Sequence, residues 1–192
     1  MAAVAGVIFS NLHDRNITEL THMRTMAAVP FGCRYRLVDF ALSNMVNANI
    51  TNISVITHYN YHSLMDHLGA GKEWDLRRKR EGLFILPPFL TKDSTGLYRG
   101  SVDAFRSCLG YMRRCPQQYV ILSGSHTIFN TSFHEMFDRH VRTGADITIM
   151  YKEDAHFDPE DQNMDLRLTL DENERVTAME LDPYRPRTNF QS

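Results

Sequence analysis

The sequence predicts an α/β fold, a mainly parallel sheet with helices on both faces, and three observations point there. Apolar runs rich in β-branched residues alternate with stretches of helical period, the order that builds βαβ units. The first such run, Val4–Phe9, is apolar at every position rather than at every second one, as in a strand buried on both sides. Composition agrees: 192 residues with 43% hydrophobic and 23% charged side chains make a globular chain large enough for a solid core. Disorder, collagen and coiled coil are disfavoured on the same grounds.

Taken in order, Val4–Phe9 is the first strand, followed by a polar segment, 10–26, and a helix near Leu37–Asn47 in which Leu37, Val38, Ala41, Leu42, Met45 and Val46 share a face. Ile53–Thr57 is the second strand. A helix near Tyr61–Leu68 ends at Gly69-Ala70-Gly71, and the polar stretch Lys72–Glu81, with Arg77-Arg78-Lys79-Arg80, reads as a solvated loop or helix face. Gly82–Phe89 is a further extended piece. Ser101 is placed to cap a helix whose apolar positions Val102, Phe105, Leu109 and Met112 recur at helical spacing up to Pro116. Tyr119–Leu122 is the next strand and runs into Ser123-Gly124-Ser125-His126. Ser132-x-x-Glu135 is a capping-box pattern for a helix to about Arg142, with Gly144 closing it in the left-handed conformation. Asp146–Tyr151 reads as a fourth core strand, and Leu166–Leu170 with Arg175–Leu181 as a hairpin turning at Asp171-Glu172-Asn173-Glu174. Pro183-Tyr184-Arg185-Pro186 reads as coil. No linker or repeat divides the chain, so 1–192 reads as one domain, cut from something longer because it ends in a tail with no terminal element.

Charge and cysteine content exclude several function classes. The 21 Lys and Arg against 23 Asp and Glu leave a formal charge of -2, so no bulk field recruits nucleic acid or an anionic membrane. Cys33, Cys108 and Cys115 are odd in number and lack zinc-site spacing, and they read as reduced thiols of a cytoplasmic protein. The apolar opening has no basic region before it, and no other stretch approaches the length of a membrane span.

In an open parallel sheet, ligands sit beyond the carboxyl ends of the strands, which points to the loops after Phe9, Thr57, Leu122 and Tyr151. The loop after the first strand, Ser10-Asn11-Leu12-His13-Asp14-Arg15-Asn16, contains no glycine, which argues against a phosphate cradle of the dinucleotide or P-loop kind. His58-x-x-x-His62 with His67 has a spacing that brings imidazoles together, but no carboxylate or cysteine completes a metal site. Ser125-His126 suggests a nucleophile and base, yet Ile128 stands where Gly-x-Ser-x-Gly needs its second glycine. The acids of 153–174 lack the calcium-loop order and read as a solvated hairpin.

One segment is far more specific. Ala28-Val29-Pro30-Phe31-Gly32-Cys33-Arg34-Tyr35-Arg36-Leu37-Val38-Asp39-Phe40-Ala41-Leu42-Ser43-Asn44 resembles the PFGG(K/R)YRLIDFxLSN signature of the ADP-glucose pyrophosphorylase (glucose-1-phosphate adenylyltransferase) family. Val55-Ile56-Thr57-His58-Tyr59, Tyr98-Arg99-Gly100-Ser101-Val102-Asp103-Ala104 and Val120-Ile121-Leu122-Ser123-Gly124-Ser125-His126 are similar, in the same order, to the family's VITQY, YRGTADA and VILSGDH. The resemblance covers essentially the whole chain. It implies a Rossmann-like nucleotidyltransferase fold without the family's carboxy-terminal left-handed β-helix. It also implies chemistry in which ATP and glucose 1-phosphate give ADP-glucose and pyrophosphate, with Mg²⁺ neutralising the phosphates.

The sequence departs from the family pattern where that chemistry needs charge and metal. The GGxGTR loop corresponds to Asn11-Leu12-His13-Asp14-Arg15-Asn16, so the glycines are gone, Asp14 adds a negative charge and Asn16 replaces the phosphate-binding arginine. RAKP corresponds to Arg24-Thr25-Met26-Ala27, which keeps Arg24 and turns the lysine into Met26. Ser125 replaces the metal-binding aspartate of SGDH, and a neutral hydroxyl is a poor Mg²⁺ ligand. The VEKP glutamate and sugar-phosphate lysine correspond to Leu181 and Asp182, and the FG before the hairpin to Asp165-Leu166.

This pattern resembles the GlgD type of subunit, a glycogen-synthesis relative that assembles with a catalytic pyrophosphorylase chain and modulates it. The resemblance therefore implies a hetero-oligomer, no intact catalytic set and no metal or cofactor for this chain. Arg15, Arg24, Tyr98, Arg99, Gly100 and Asp103 remain as candidates for residual nucleotide or sugar-phosphate binding. Two other readings stand beside it: an active adenylyltransferase using Arg15 and Arg24 as replacement groups, and a domain that senses sugar nucleotide or phosphate without catalysis.

Overall fold

The computed structural model describes residues 3–12, 14–78, 81–88, 98, 100–153, 166–181 and 190–191, with the side chains of 15, 16, 181, 190 and 191 set aside. The chain packs as two compact units, Met1–His134 and Glu135–Ser192. Each is taken by itself.

In the first unit β1 (Val4–Phe9) is buried at every position. The polar segment that follows is partly helical: a 3-10 turn at Asp14–Ile17, a four-residue helix α1 (Thr18–Thr21) and a second 3-10 turn at Met26–Ala28. β2 (Pro30–Phe31) and β3 (Tyr35–Arg36) pair antiparallel around Gly32 and Cys33, both at positive φ, before α2 (Leu37–Asn47). β4 (Asn52–Ile56), α3 (His62–Leu68), β5 (Gly82–Leu86), α4 (Ser101–Ser107), α5 (Leu109–Met112) and β6 (Tyr119–Gly124) complete the unit. α6 (Phe133–Thr143) starts at its end.

The sheet has the order β5-β4-β1-β6 and is parallel throughout. Chain order runs outward from β1 through β4 to β5 and then returns to the other side of β1. Right-handed crossovers therefore send α2 and α3 to one face and α4 and α5 to the opposite one. Packing agrees. Val7, Phe9 and Ile56 form a cluster with Ala104 and Cys108 on the α4–α5 face. On the other face α2 comes so close that a Cβ on Gly6 would lie 2.5 Å from Met45 Sδ. The expected parallel sheet with helices on both faces is thus present.

Beyond its paired strands the unit is fastened by side-chain hydrogen bonds. At the amino-terminal end Tyr111 Oη donates to Asn52 Oδ1 at 3.1 Å, and Asn52 Nδ2 donates to Gln117 Oε1 at 2.9 Å. Burial pushes the Tyr111 phenol up to about 12. On one face His67 Nε2 meets Asp39 Oδ1 at 2.6 Å, tying α3 to α2.

Some sequence expectations need correction. The helix starting at Ser101 is interrupted at Cys108, and Gly100 rather than a Ser101 side chain precedes it without a side-chain cap. Ala104 and Cys108 face the core with Phe105 and Met112, while Val102 and Leu109 are exposed, because small residues are needed where the helix meets Val7 and Phe9. The Asp146–Tyr151 segment is not a strand. The fourth strand of the parallel sheet is Gly82–Leu86, which finds β4 as its partner.

In the second unit β7 (Lys152–Glu153), β8 (Leu166–Leu170), β9 (Val176–Leu181) and β10 (Phe190–Gln191) form an antiparallel sheet in the order β7-β10-β8-β9. The expected hairpin is present. Asp171 Oδ1 accepts the Asn173 and Arg175 backbone N–H groups, each at 2.9 Å, and so builds the turn. β10 gives the chain a terminal element where none was expected. Ile147 is 79% exposed, so the Asp146–Tyr151 run finds no apolar layer or ladder there. Gly144 sits at φ 61 after α6, as expected of a left-handed helix end. The Pro183–Pro186 tail lies outside the described residues.

Candidate nucleotide crevice and its departures

The crevice opens where β1 and β4 end. It is about 230 Å³ and is lined by Phe9, Asn11, Leu12, Thr57, His58, Tyr59, Tyr98, Gly100 and Ser101 among others. Open parallel sheets bind their ligands beyond the carboxyl ends of the strands, which is where this crevice lies.

The loop after β1 is folded in upon itself. Ser10 is fully buried, and its Oγ donates to Asn11 Oδ1 at 2.7 Å. The same Asn11 oxygen accepts the His58 backbone N–H at 2.9 Å. Asn11 Nδ2 donates both to Asp14 Oδ2 at 2.7 Å and to the Tyr59 carbonyl at 3.1 Å. Asp14 Oδ1 accepts the Met26 N–H at 2.9 Å, and the Asp14 carbonyl accepts Thr21 Oγ1 at 2.5 Å. Asp14 is 5% exposed, and burial raises its carboxyl above the ordinary carboxylate value against the opposing pull of those hydrogen bonds. The acid that Asp14 adds to the loop thus points inward and braces it.

At the end of β6, Ser125 is 1% exposed and its Oγ donates to the Phe9 carbonyl at 2.9 Å. The hydroxyl proton is thus engaged by backbone rather than by a general base, and the oxygen carries no negative charge to offer a metal ion. Gly124 before it admits the His126 ring, since a Cβ there would meet Cε1 and Nδ1 of His126 at 2.6 Å. Met26 is buried, and Thr25 beside it is fully buried with an unpartnered Oγ1.

The three histidines of the considered metal pattern take separate partners. His58 Nε2 accepts the Tyr98 N–H at 3.3 Å, with its ring between Tyr59 and Tyr98 at centroid distances of 4.9 and 5.0 Å. His62 faces Asp66 at 3.7 Å on the surface, and His67 faces Asp39. Among the described residues no group of three His, Cys, Asp or Glu side chains could hold a metal ion. The three cysteines are free, and burial pushes the Cys108 thiol up.

Of the candidate binding residues, Tyr98 and Gly100 line the crevice. Asp103 sits half-buried in the first turn of α4. Arg24 is half-buried and lines a separate open recess with Thr18, Glu19, Leu20, His22 and Met23. Arg15 and Asn16 lie in the 3-10 turn, and Arg99, Asp165 and Asp182 fall outside the described residues. Sequence reasoning overlooked Ser10, Asn11 and the His58–Tyr98 stack. The available signal was a run of Ser, Asn and Asp, residues that hydrogen-bond nearby backbone and close loops on themselves.

The family model for nucleotidyl transferases matches residues 15–161. The chain belongs to the nucleotidyl transferase family. It is 45% identical over 149 residues to the glycogen biosynthesis protein GlgD of Bacillus subtilis (strain 168), covering 77% of this chain and 43% of that protein. It is 37% identical over 199 residues to the glucose-1-phosphate adenylyltransferase of Thermomicrobium roseum, covering 100% of this chain and 44% of that protein. The resemblance read from the sequence motifs is thereby borne out. The chain spans less than half the length of these curated relatives. In fold it is similar to a Bacillus anthracis crystal structure described as a glucose-1-phosphate thymidylyltransferase, with a TM-score of 0.71 at 18% identity over 98% of this chain and 68% of that one. That likeness bears out the nucleotidyltransferase architecture.

Members of the nucleotidyl transferase family that use Mg²⁺ need carboxylates at the metal. The described residues of this chain do not fit that ion, because Ser125 offers a neutral hydroxyl where a carboxylate is needed and no group of three His, Cys, Asp or Glu side chains among them could hold a metal.

Proposed function

We propose that this chain is the nucleotidyltransferase-like part of a non-catalytic regulatory or scaffold subunit of glucose-1-phosphate adenylyltransferase. The activity it serves is the formation of ADP-glucose and pyrophosphate from ATP and glucose 1-phosphate in glycogen biosynthesis. It acts in a cytoplasmic hetero-oligomer with a catalytic chain. The observation that carries the reading is the Ser125–Phe9 hydrogen bond, which spends on structure the position where a metal-binding carboxylate is expected. Phosphoryl chemistry rests on metal and positive charge aimed at the phosphates, and losing each such contact costs about 3–4 kcal/mol of barrier. Names of relatives support the assignment, since two proteins 45% and 41% identical are called glycogen biosynthesis protein GlgD. No helix of the described residues is long and apolar enough to cross a membrane, which accords with a cytoplasmic site of action.

The test is to titrate the purified protein into a fixed amount of catalytic adenylyltransferase while following substrate saturation and light-scattering mass. The expected result is no ADP-glucose formation by the protein alone, a mixed assembly, and a shift of about 5- to 150-fold in an apparent affinity. A subunit changes its neighbour only by binding the neighbour's states unequally. Robust Mg²⁺-dependent turnover by the protein alone would overturn the reading in favour of an active enzyme. The 230 Å³ crevice with Tyr98 and Gly100 at its wall supports a second reading, a sugar-nucleotide or phosphate sensor, which calorimetry with ATP, ADP-glucose and glucose 1-phosphate separates from the first.

A further inference from the structure

Asp14 is a buried acid on which donors converge. The Met26 backbone N–H reaches Oδ1 at 2.9 Å and the Asn11 amide reaches Oδ2 at 2.7 Å. These partners are a peptide N–H and a carboxamide. Such groups hold an oxyanion by direction rather than by neutralising it. They also stand beyond the carboxyl end of β1, beside a crevice lined by Asn11 and Tyr59, where an open parallel sheet places its ligands. A carboxylate buried in this way costs free energy unless its donors are fixed in place. Here they are fixed: Asn11 is held by Ser10 and by the His58 backbone, and Met26 lies in a 3-10 turn with buried residues on either side.

We propose that the Asp14 carboxylate is an internal anion that occupies an oxyanion cradle formed by the Met26 N–H and the Asn11 amide, and that removing it exposes the cradle to small external oxyanions. The proposal rests on the reading of this crevice as a disabled nucleotide site and gives that disablement a physical cause. The loop is closed because its donors are already satisfied from within the chain. The ligand class is a carboxylate or phosphate oxygen, and formate, of the same shape as the missing group, is the probe closest in size.

The test is Asp14→Ala in the whole protein, with circular dichroism for folding and with formate and inorganic pyrophosphate as probes. The expected result is a melting temperature that rises with formate concentration, and saturable binding of formate or pyrophosphate at least about tenfold tighter than in the unsubstituted protein. Asp14→Asn fills the same space without charge and is expected to gain no binding. A folded Asp14→Ala variant whose melting and isotherms match those of the unsubstituted protein overturns the proposal, as does tight pyrophosphate binding with Asp14 in place. If Asp14→Ala does not fold, refolding yield in formate becomes the readout: rescue supports the cradle and its absence overturns it. These titrations contain no nucleotide and no catalytic chain, so a failed mixed assembly counts against the proposed function and leaves their result intact.

Discussion

Ser125 Oγ and the Phe9 carbonyl are joined by a 2.9 Å hydrogen bond that links the carboxyl ends of β6 and β1 with almost no exposure of the serine. The position carries a donor aimed at an acceptor. A carboxylate placed there would point acceptor at acceptor in a buried setting.

Ser125→Asp is therefore expected to destabilise the fold by about 1–3 kcal/mol or more, the cost of a buried polar group left without its partner. It is not expected to restore ADP-glucose formation, because catalytic groups that act as a unit are not repaired singly. Urea unfolding and a Mg²⁺-dependent synthesis assay check both halves. A stable variant with turnover near that of the family would show that the folded-in loop after β1 is no obstacle.

Asp14 makes stability depend on pH in a defined direction. Burial raises its carboxyl in the folded protein above the unfolded value of 3.8, so the folded state holds the proton more tightly. The group's stabilising contribution is complete below the unfolded value and is lost as pH rises through the folded value. Asp14→Asn removes that slope. Subtracting its unfolding free energies from those of the unsubstituted protein between acid and neutral pH should leave a difference that falls as pH rises. A difference that rises instead would show that hydrogen bonding outweighs burial.

Asp39 performs two tasks at the start of α2. Its Oδ2 accepts the Arg36 N–H at 2.9 Å and its Oδ1 meets His67 of α3 at 2.6 Å. Asp39→Ala loses a helix-start acceptor and a partly buried hydrogen bond to the His67 ring, together about 2 kcal/mol or more. His67→Ala loses only the second and should cost less. Denaturation midpoints rank the two, and equal losses would mean that the helix start contributes nothing.

Gly6→Ala should destabilise by about 1–3 kcal/mol, the usual penalty of overpacking, because the new methyl meets Met45 Sδ at 2.5 Å. Met45 is fully buried, so Met45→Ala is costly by itself, but it removes the clashing sulfur and should cost less in the Gly6→Ala background than in the unsubstituted protein. The double variant then exceeds the sum of the single ones in stability, a coupling that a mutant cycle measures directly.

Much of the architecture was legible because it depends on local pattern. Val4–Phe9, Leu37–Asn47 and the hairpin at Asp171–Glu174 announce themselves by apolar period and turn chemistry, and they form nearly where expected. Asp146–Tyr151 has equally strong strand character yet forms none, since a strand needs a partner edge that its own residues do not supply. The interruption at Cys108 was hidden for a like reason: which face of α4 turns inward is chosen by Val7 and Phe9, not by the spacing of Val102 and Leu109.

At the crevice the division is sharper. Sequence by itself determined the family, the parallel order of the strands' connections and the loss of Asp from the Ser125 position, because each is a matter of residue identity at a spacing. Only the tertiary structure decided what the replacements do. That Asp14 turns inward to Met26 and Asn11, that Ser125 reaches across to Phe9, and that His58 joins Tyr98 instead of His62 are contacts between segments 12 to 116 positions apart, apart from the short Asn11–Asp14 link. A polar side chain takes whichever partner the folded backbone brings within about 3 Å, and no local pattern encodes that choice.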